Sequence, residues 1–336
     1  MEKNIKMTMI LDVNKRYESY AEKFLEAVEA AQKICISSHV SVDGDNLGSI
    51  TALYNFLKDM GKDVTLLKSD IIPNQYNFLP GLSEIVSPED FSGACDLYFS
   101  MDCADLDRLG DNRDTFLNAK TRVVIDHHMT NEGYGNINFI EPEISSTCEL
   151  LSEILFRTNK TISNDVATSL FTGLSTDTGR FLYTNVKAQT FNVAERLLSL
   201  GADMNMINLN IYQSKPIRKL RILEIGLEKM TEALDGALTY TVITREDMER
   251  AGAFIYDLDE IINFIRDTEG VLVSFIVKEV EDDVYKVSLR SKGNLDVSKV
   301  ATGFGGGGHK NASGLTYNGK LEELIKSLTE AIKNEL

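Results

Sequence analysis

The run Val123-Val124-Ile125-Asp126-His127-His128 constrains this chain more than any other stretch. Three β-branched residues are followed at once by an acid and two histidines. Such a run reads as a buried parallel strand that delivers titratable groups at its C-terminal end. The same grammar recurs elsewhere. Residues 33–38 form a short apolar strand that leads into His39, residues 63–67 a second, and residues 96–101 a third that ends at Asp102. Helical patterns lie between them. Residues 14–31 carry Tyr17, Ala21, Phe24, Leu25 and Val28 on one stripe, and residues 47–57 form a helix closed by Gly61. This alternation predicts an α/β domain, a parallel sheet with helices on both faces. Ligands of such sheets sit beyond the carboxyl ends of the strands. Three of the four strands end there in potential metal ligands.

Further helices are expected over 146–156, over 164–175 with Ser163 or Asn164 as N-cap, and over 187–200, stopping at Gly201. The second of these runs straight into Thr176-Asp177-Thr178-Gly179. Residues 204–234 are charged and helical in pattern, without a strand. The organisation expected is therefore a first domain over 1–205, a helical connector over 206–232 and a second domain over 233–336. In the second domain, strands at 237–243, 270–278 and 284–289 accompany a helix at 256–266. A turn at Asp282-Asp283, a glycine-rich loop at 303–308 and a closing amphipathic helix from Leu321 complete it. That is a smaller α+β domain.

Composition narrows the function classes. A formal charge of −16 argues against a duplex-DNA binder, which needs clustered Lys and Arg to displace counterions. It leaves room for a small anionic substrate held by metal ions and a few basic groups. The four cysteines show no CxxC pairing and read as buried reduced thiols, as expected of a cytoplasmic protein. No apolar run approaches the about 20 residues of a membrane span, so no membrane partner is expected.

All four histidines (His39, His127, His128, His309) stand in motifs that also carry carboxylates, glycines or both. In His39-Val40-Ser41-Val42-Asp43-Gly44-Asp45, one imidazole and two carboxylates follow a strand end, and Gly44 permits tight turning. Asp-Gly-Asp-Asn is also ordinary turn chemistry. Asp102 ends an apolar strand, with Asp105 and Asp107 nearby, and strand-end position favours Asp102. In Asp126-His127-His128, adjacent histidines on a strand edge diverge. One suits a metal, with Asp126 setting its tautomer, and the other suits a substrate phosphate or proton transfer. Asp177 ends a helix, where a simple cap is the plainer alternative. Oxygen and imidazole donors without thiolate suit hard to borderline dications, Mn²⁺ before Mg²⁺ or Co²⁺. Two ions sharing a bridging carboxylate can activate a water and stabilise charge on a phosphoryl oxygen. Finally, Gly303-Phe304-Gly305-Gly306-Gly307-Gly308-His309-Lys310 can bring backbone N–H groups close to an anion, with Arg290-Ser291 facing the same region.

These residues resemble the DHH phosphoesterase family, named for the triplet that stands here as Asp126-His127-His128. The motif around His39 to Ser49, then Asp102, the triplet and the Thr-Asp-Thr-Gly around Asp177 occur in the family's order. The Gly-Gly-Gly-Gly-His-Lys-Asn-Ala-Ser-Gly stretch looks like the signature of the DHH-associated C-terminal domain. Val42 departs from the proline of many members but removes no ligand. Length and connector look like the NrnA-type branch, oligoribonucleases and pAp phosphatases, close to cyclic-di-AMP and pApA phosphodiesterases.

The resemblance implies one Mn²⁺ on His39, Asp43 and Asp102, and a second on Asp45, Asp102, His127 and Asp177. It implies Asp126 supporting His127, and His128 on the scissile phosphate. Arg290, Ser291, Gly307, Gly308 and His309 would hold the substrate across a cleft between the domains. The implied substrates are short RNA, pApA-type dinucleotides and pAp. Cyclic dinucleotide hydrolysis is the alternative, and a family II pyrophosphatase or a silent nucleotide sensor fits less well. Similar proteins are often homodimers, although no surface stripe here marks an interface.

Overall fold

The computed structural model describes residues 2–336, with side chains from residue 14 onward. It divides into two compact units, Met1–Ser214 and Lys215–Leu336. The boundary falls inside the segment expected to be a connector.

In the first unit, α1 (Glu2–Ala30) precedes β1 (Lys33–Ser38), α2 (Gly44–Asp59) and β2 (Asp63–Leu66). Then come β3 (Leu97–Met101), α3 (Arg113–Asn118), β4 (Thr121–Asp126) and β5 (Ile137–Ile140). Four helices complete the unit: α4 (Thr147–Leu155), α5 (Asn164–Asp177), α6 (Ala188–Ser199) and α7 (Met204–Ile207). The strands form one parallel sheet in the order β2-β1-β3-β4-β5.

Strand alternation sorts the two faces. Ile34, Ile36, Leu97, Phe99, Met101, Val123 and Ile125 point into the main core, with Phe24 of α1, Leu53 and Phe56 of α2 and Leu170 of α5. Cys35, Tyr98 and Val124 point the other way, into a smaller core with Phe116 of α3 and Leu109 of the 3₁₀ turn before it. Helices thus cover both faces, as the period-2 logic of a buried parallel sheet requires.

The edge strand β5 was not legible beforehand. Its Ile137-Asn138-Phe139-Ile140 is too short to carry a pattern, and pairing with β4 defines it. Helices α2, α4 and α5 converge at glycines. A Cβ on Gly48 would stand 2.6 Å from the Ser169 carbonyl, and one on Gly173 2.6 Å from Asp45 Oδ1. Both positions therefore require the smallest residue. Gly44, expected to permit a tight turn in a loop, instead opens α2, where Thr176 leaves no room for a side chain.

The second unit comprises α8 (Ile217–Glu228), β6 (Thr231–Ala233), β7 (Leu238–Ile243), α9 (Arg245–Ala251) and α10 (Ile261–Arg266). It continues through β8 (Val273–Glu281), β9 (Val284–Ser291), α11 (Val297–Gly303), β10 (Gly307–His309), β11 (Ala312–Asn318) and α12 (Leu321–Glu335). Its mixed sheet runs β10-β11-β9-β8-β7-β6, with β7 and β8 parallel and the other neighbours antiparallel. Phe275, Val287 and Leu289 pack on α11 and α12 from one face, while Ile243 and Ile276 pack on α8, α9 and α10 from the other.

Three expectations change here. The strand β6 lies within the stretch read as strandless. The helix expected at 256–266 breaks into a 3₁₀ turn at Ile255–Leu258 and α10, because Asp257 turns inward to accept from Phe254 N and Arg218 Nε. Part of the glycine loop is the strand β10, which no side-chain pattern announces and which exists by pairing with β11. Among the described residues, no helix is long and apolar enough to cross a membrane.

Helix α4 begins with Ser146 accepting from Glu149 N at 2.9 Å. The buried Glu149 side chain turns back to accept from Ser145 N (3.2 Å) and Thr190 Oγ1 (3.0 Å). Burial pushes the Glu149 carboxyl above its ordinary value, against those hydrogen bonds. A raised folded-state value gives a stability contribution that is complete below the unfolded value of about 4.3 and is lost as pH rises through the folded one. Glu149→Gln should therefore gain stability relative to the parent on going from pH 5 to pH 8, read by urea unfolding of the metal-free protein. An identical difference at the two pH values would count against this account.

Candidate active site

The carboxyl ends of β1, β3 and β4 and the N-termini of α2 and α4 meet at one place. His39, which follows β1, is buried. Its Nδ1 lies 2.7 Å from the Val40 carbonyl. A carbonyl cannot donate, so Nδ1 carries the proton and the Nε2 lone pair is free. Nε2 faces Asp102 Oδ2 at 3.4 Å and Asp43 Oδ2 at 3.8 Å. Asp43 is the N-cap of α2, its Oδ1 accepting from Asn46 N at 2.9 Å while Oδ2 points at the imidazole.

Asp45, two residues further on in the first turn of α2, is buried. Its two oxygens accept from the first amides of α4, Thr147 N at 2.6 Å and Cys148 N at 2.9 Å. A helix N-terminus favours a negative group. The Thr147 hydroxyl also donates to Asp102 Oδ1 at 2.9 Å. Asp102 is the inward residue of its segment, whereas Asp105 and Asp107 are exposed. Its backbone is left-handed, with φ 53°, a conformation that costs a non-glycine residue about 1–2 kcal/mol.

His127 Nε2 stands 3.6 Å from Asp177 Oδ2, 3.7 Å from Asp102 Oδ1 and 3.9 Å from Asp45 Oδ2. The two adjacent histidines diverge less than a strand edge would impose. Their ring centroids are 4.9 Å apart, because the chain leaves β4 at Asp126 and turns, with Asn131 N donating to the His128 carbonyl. The expectation that Asp126 supports His127 is corrected. His128 Nδ1 donates to Asp126 Oδ1 at 2.7 Å, leaving its Nε2 open, and Asp126 Oδ2 accepts from Asn131 Nδ2 at 2.6 Å.

Three groups of potential ligand atoms result, each spanning no more than 4.8 Å: His39, Asp43 and Asp102; Asp45, His127 and Asp177; and Asp102, His127 and His128. Electrostatics fit divalent cations. Burial, then the neighbouring Asp45, Asp43, Asp126 and Asp177, pushes the Asp102 carboxyl well above its ordinary range. Burial, then Asp45 and Asp43, does the same to Asp177. Burial also raises Asp45, with His127 opposing. Carboxylates this crowded bind protons tightly unless a cation replaces them. Asp126 behaves differently. Burial pushes it up, but the His128 and Asn131 hydrogen bonds and the imidazole charges outweigh that and hold it below the usual carboxylate value.

In the second unit, the register sets Arg290 opposite Ala312 and Ala312 opposite His309, so these residues share one face. Gly308, with φ 140°, pairs with Ser313, and a Cβ there would strike the Ala312 carbonyl at 2.6 Å. Gly307 and His309 are exposed. Ser291 is committed to structure, donating to the Leu295 carbonyl at 2.8 Å and accepting from Asn311 Nδ2.

Sequence reasoning missed the supports. Thr147 and Cys148 act through their amides; the helix start was expected at residue 146, but nothing local says that its first amides face Asp45. Asn131 carried no signal. Neither did Asn185, whose Nδ2 donates to the Asp177 carbonyl at 3.1 Å. Thr147→Val should weaken Mn²⁺ binding about 10–100-fold, the usual consequence of losing a partner to a ligating group, and Thr147→Ser should keep it. Calorimetric titration of the folded variants checks this, and an unchanged Val variant would remove Thr147 from the account.

Comparison with known proteins agrees with the motif order. Residues 33–174 match the model of the DHH family, N-terminal domain, and residues 239–334 match the DHHA1 domain. The bifunctional oligoribonuclease and PAP phosphatase NrnA of Thermus thermophilus is 31% identical over 93% of this chain and 92% of its own. The probable enzyme of that name from Streptococcus mutans is 27% identical over 90% and 97%. The crystal structure of an exopolyphosphatase-related protein from Bacteroides fragilis superposes with a TM-score of 0.88 at 29% identity, covering 94% of this chain and 96% of that one. The chain belongs to the DHH family, with the DHH domain in its first unit and the DHHA1 domain in its second.

Proposed function

We propose that this protein is a metal-dependent phosphoesterase that hydrolyses short oligoribonucleotides to mononucleotides and removes the 3′-phosphate of pAp. Two Mn²⁺ ions would be held by His39, Asp43, Asp45, Asp102, His127 and Asp177. The observation that carries this reading is the overlap of the ligand groups: Asp102 and His127 each belong to two of the three, so adjacent cations would share a carboxylate. The activities of the NrnA-type relatives point the same way.

A bound pair of dications supplies Lewis acidity and activation of a water toward a phosphoryl centre. The protein's own groups do the rest. Asp45 and Asp102 are fixed by the N-terminus of α4 and the Thr147 hydroxyl, so ligand geometry exists before substrate arrives. His128, oriented by Asp126, presents Nε2 to the scissile phosphate and can give a proton to the leaving oxygen. In the second unit, Arg290, Gly307, Gly308 and His309 are our candidates for an anion subsite, with the buried Ser291 supporting the loop through Leu295 and Asn311. Arg290 and His309 would supply donors and the glycines close backbone approach. The four buried free thiols support a reducing, cytoplasmic setting.

A substrate panel with Mn²⁺ tests this: pAp, pApA, pGpG, cyclic di-AMP and RNA of two to about twenty nucleotides, a range chosen because acidic charge repels long polyanions. We expect turnover of the dinucleotides and pAp, falling with RNA length. Replacing His128 by Asn should lower kcat by about 10²–10⁴-fold, the range of a general acid. No turnover of any panel member by folded, Mn²⁺-loaded protein would refute the proposal.

A further inference from the structure

Arg108 sits in the 3₁₀ segment Asp107–Asn112 that follows Asp102, and its backbone is fixed at both its N–H and its carbonyl. Its N–H donates to Asp105 Oδ1 at 3.0 Å, as does that of Asp107, and its carbonyl accepts from Val40 N at 2.8 Å. The last bond ties it to the loop that carries His39. Its side chain is half-buried, and Nη2 lies 3.2 Å from His39 Nδ1.

That contact is not a hydrogen bond in the tautomer the site uses. The Val40 carbonyl, 2.7 Å from Nδ1, requires a proton on that nitrogen. Nη2 therefore meets another donor, and a guanidinium has no acceptor to offer. Among the described residues, no carboxylate lies within 4.0 Å of this guanidinium, although Asp43 and Asp102 flank the opposite edge of the same imidazole. A half-buried cation one ring-width from a cluster of carboxylates, yet paired with none, is an arrangement that stability alone does not explain.

Charge bookkeeping says what it is suited to. The four carboxylates of Asp43, Asp45, Asp102 and Asp177 would offset the four charges of two dications. The filled centre then retains little net attraction for a phosphate. A guanidinium fork beside it restores a positive charge and matches two non-bridging phosphate oxygens. We propose that Arg108 binds the substrate's reacting phosphate directly, and that it matters more for a terminal phosphate dianion than for a phosphodiester monoanion. This assignment rests on the phosphoesterase reading above.

The test compares Arg108→Gln and Arg108→Lys with the parent in three measurements on Mn²⁺-loaded protein: Mn²⁺ affinity, inorganic phosphate affinity by calorimetry, and kcat/KM for pAp and pApA. We expect unchanged Mn²⁺ affinity in both variants. Phosphate affinity should fall at least tenfold in the Gln variant, with partial recovery in the Lys variant. The loss in kcat/KM should be larger for pAp than for pApA. Parallel losses of Mn²⁺ and phosphate affinity would reduce Arg108 to a support for His39 and overturn the proposal, as would a Gln variant with parental phosphate affinity. If the parent turns over neither nucleotide, the phosphoesterase reading has failed, while the phosphate titration still decides whether Arg108 is an anion ligand.

Discussion

The first two amides of α4 grip Asp45, and the Thr147 hydroxyl of the same helical turn grips Asp102. The rest of the site depends on this contact. Burying several carboxylates together is unfavourable, and the positive end of a helix is among the few ways to hold such groups in place without neutralising them. The grip also explains the packing. Helix α4 must lie against α2 and α5 closely enough for its N–H groups to reach Asp45, which is why Gly48 and Gly173 have no space for a side chain. The core geometry and the chemistry are thus one constraint.

The two histidines of the triplet illustrate how a support decides a role. His127 looks toward Asp45, Asp102 and Asp177, whereas His128 is tied by Nδ1 to Asp126. The Asp126 carboxylate has Asn131 as its second partner and stays ionised. Neighbouring carboxylates are pushed the opposite way by burial and by one another. Two populations of acid arise from one cluster: those raised by burial and by one another, and one held low by its hydrogen bonds from His128 and Asn131. A site that divides its carboxylates this way separates acids suited to a cation from one that orients a histidine.

Much of this was legible in the residues. Apolar runs ending in His39, Asp102 and Asp126 marked parallel strands and their ligand-bearing ends, because a strand buried on both faces must be apolar until it leaves the sheet. The order of motifs identified the family, and helical stripes placed α2, α5 and α12 to within a turn. Short edge strands were not legible. Ile137–Ile140 and Gly307–His309 are strands because a neighbour offers hydrogen bonds, not because their side chains alternate.

The sequence by itself determined which donor atoms the protein owns and at which strand ends they emerge, since residue type and hydrophobic period are local properties. Only the tertiary structure decided how they are shared. Asp45 is held by the amides of Thr147 and Cys148 about a hundred residues away, and Arg108 meets His39 from a remote segment; even the local pairing of Asp126 with His128 depends on the turn after β4, which Asn131 holds. Hydrogen-bond partners depend on distances of a few tenths of an ångström between segments remote in the chain. No local pattern encodes such distances, and packing alone sets them.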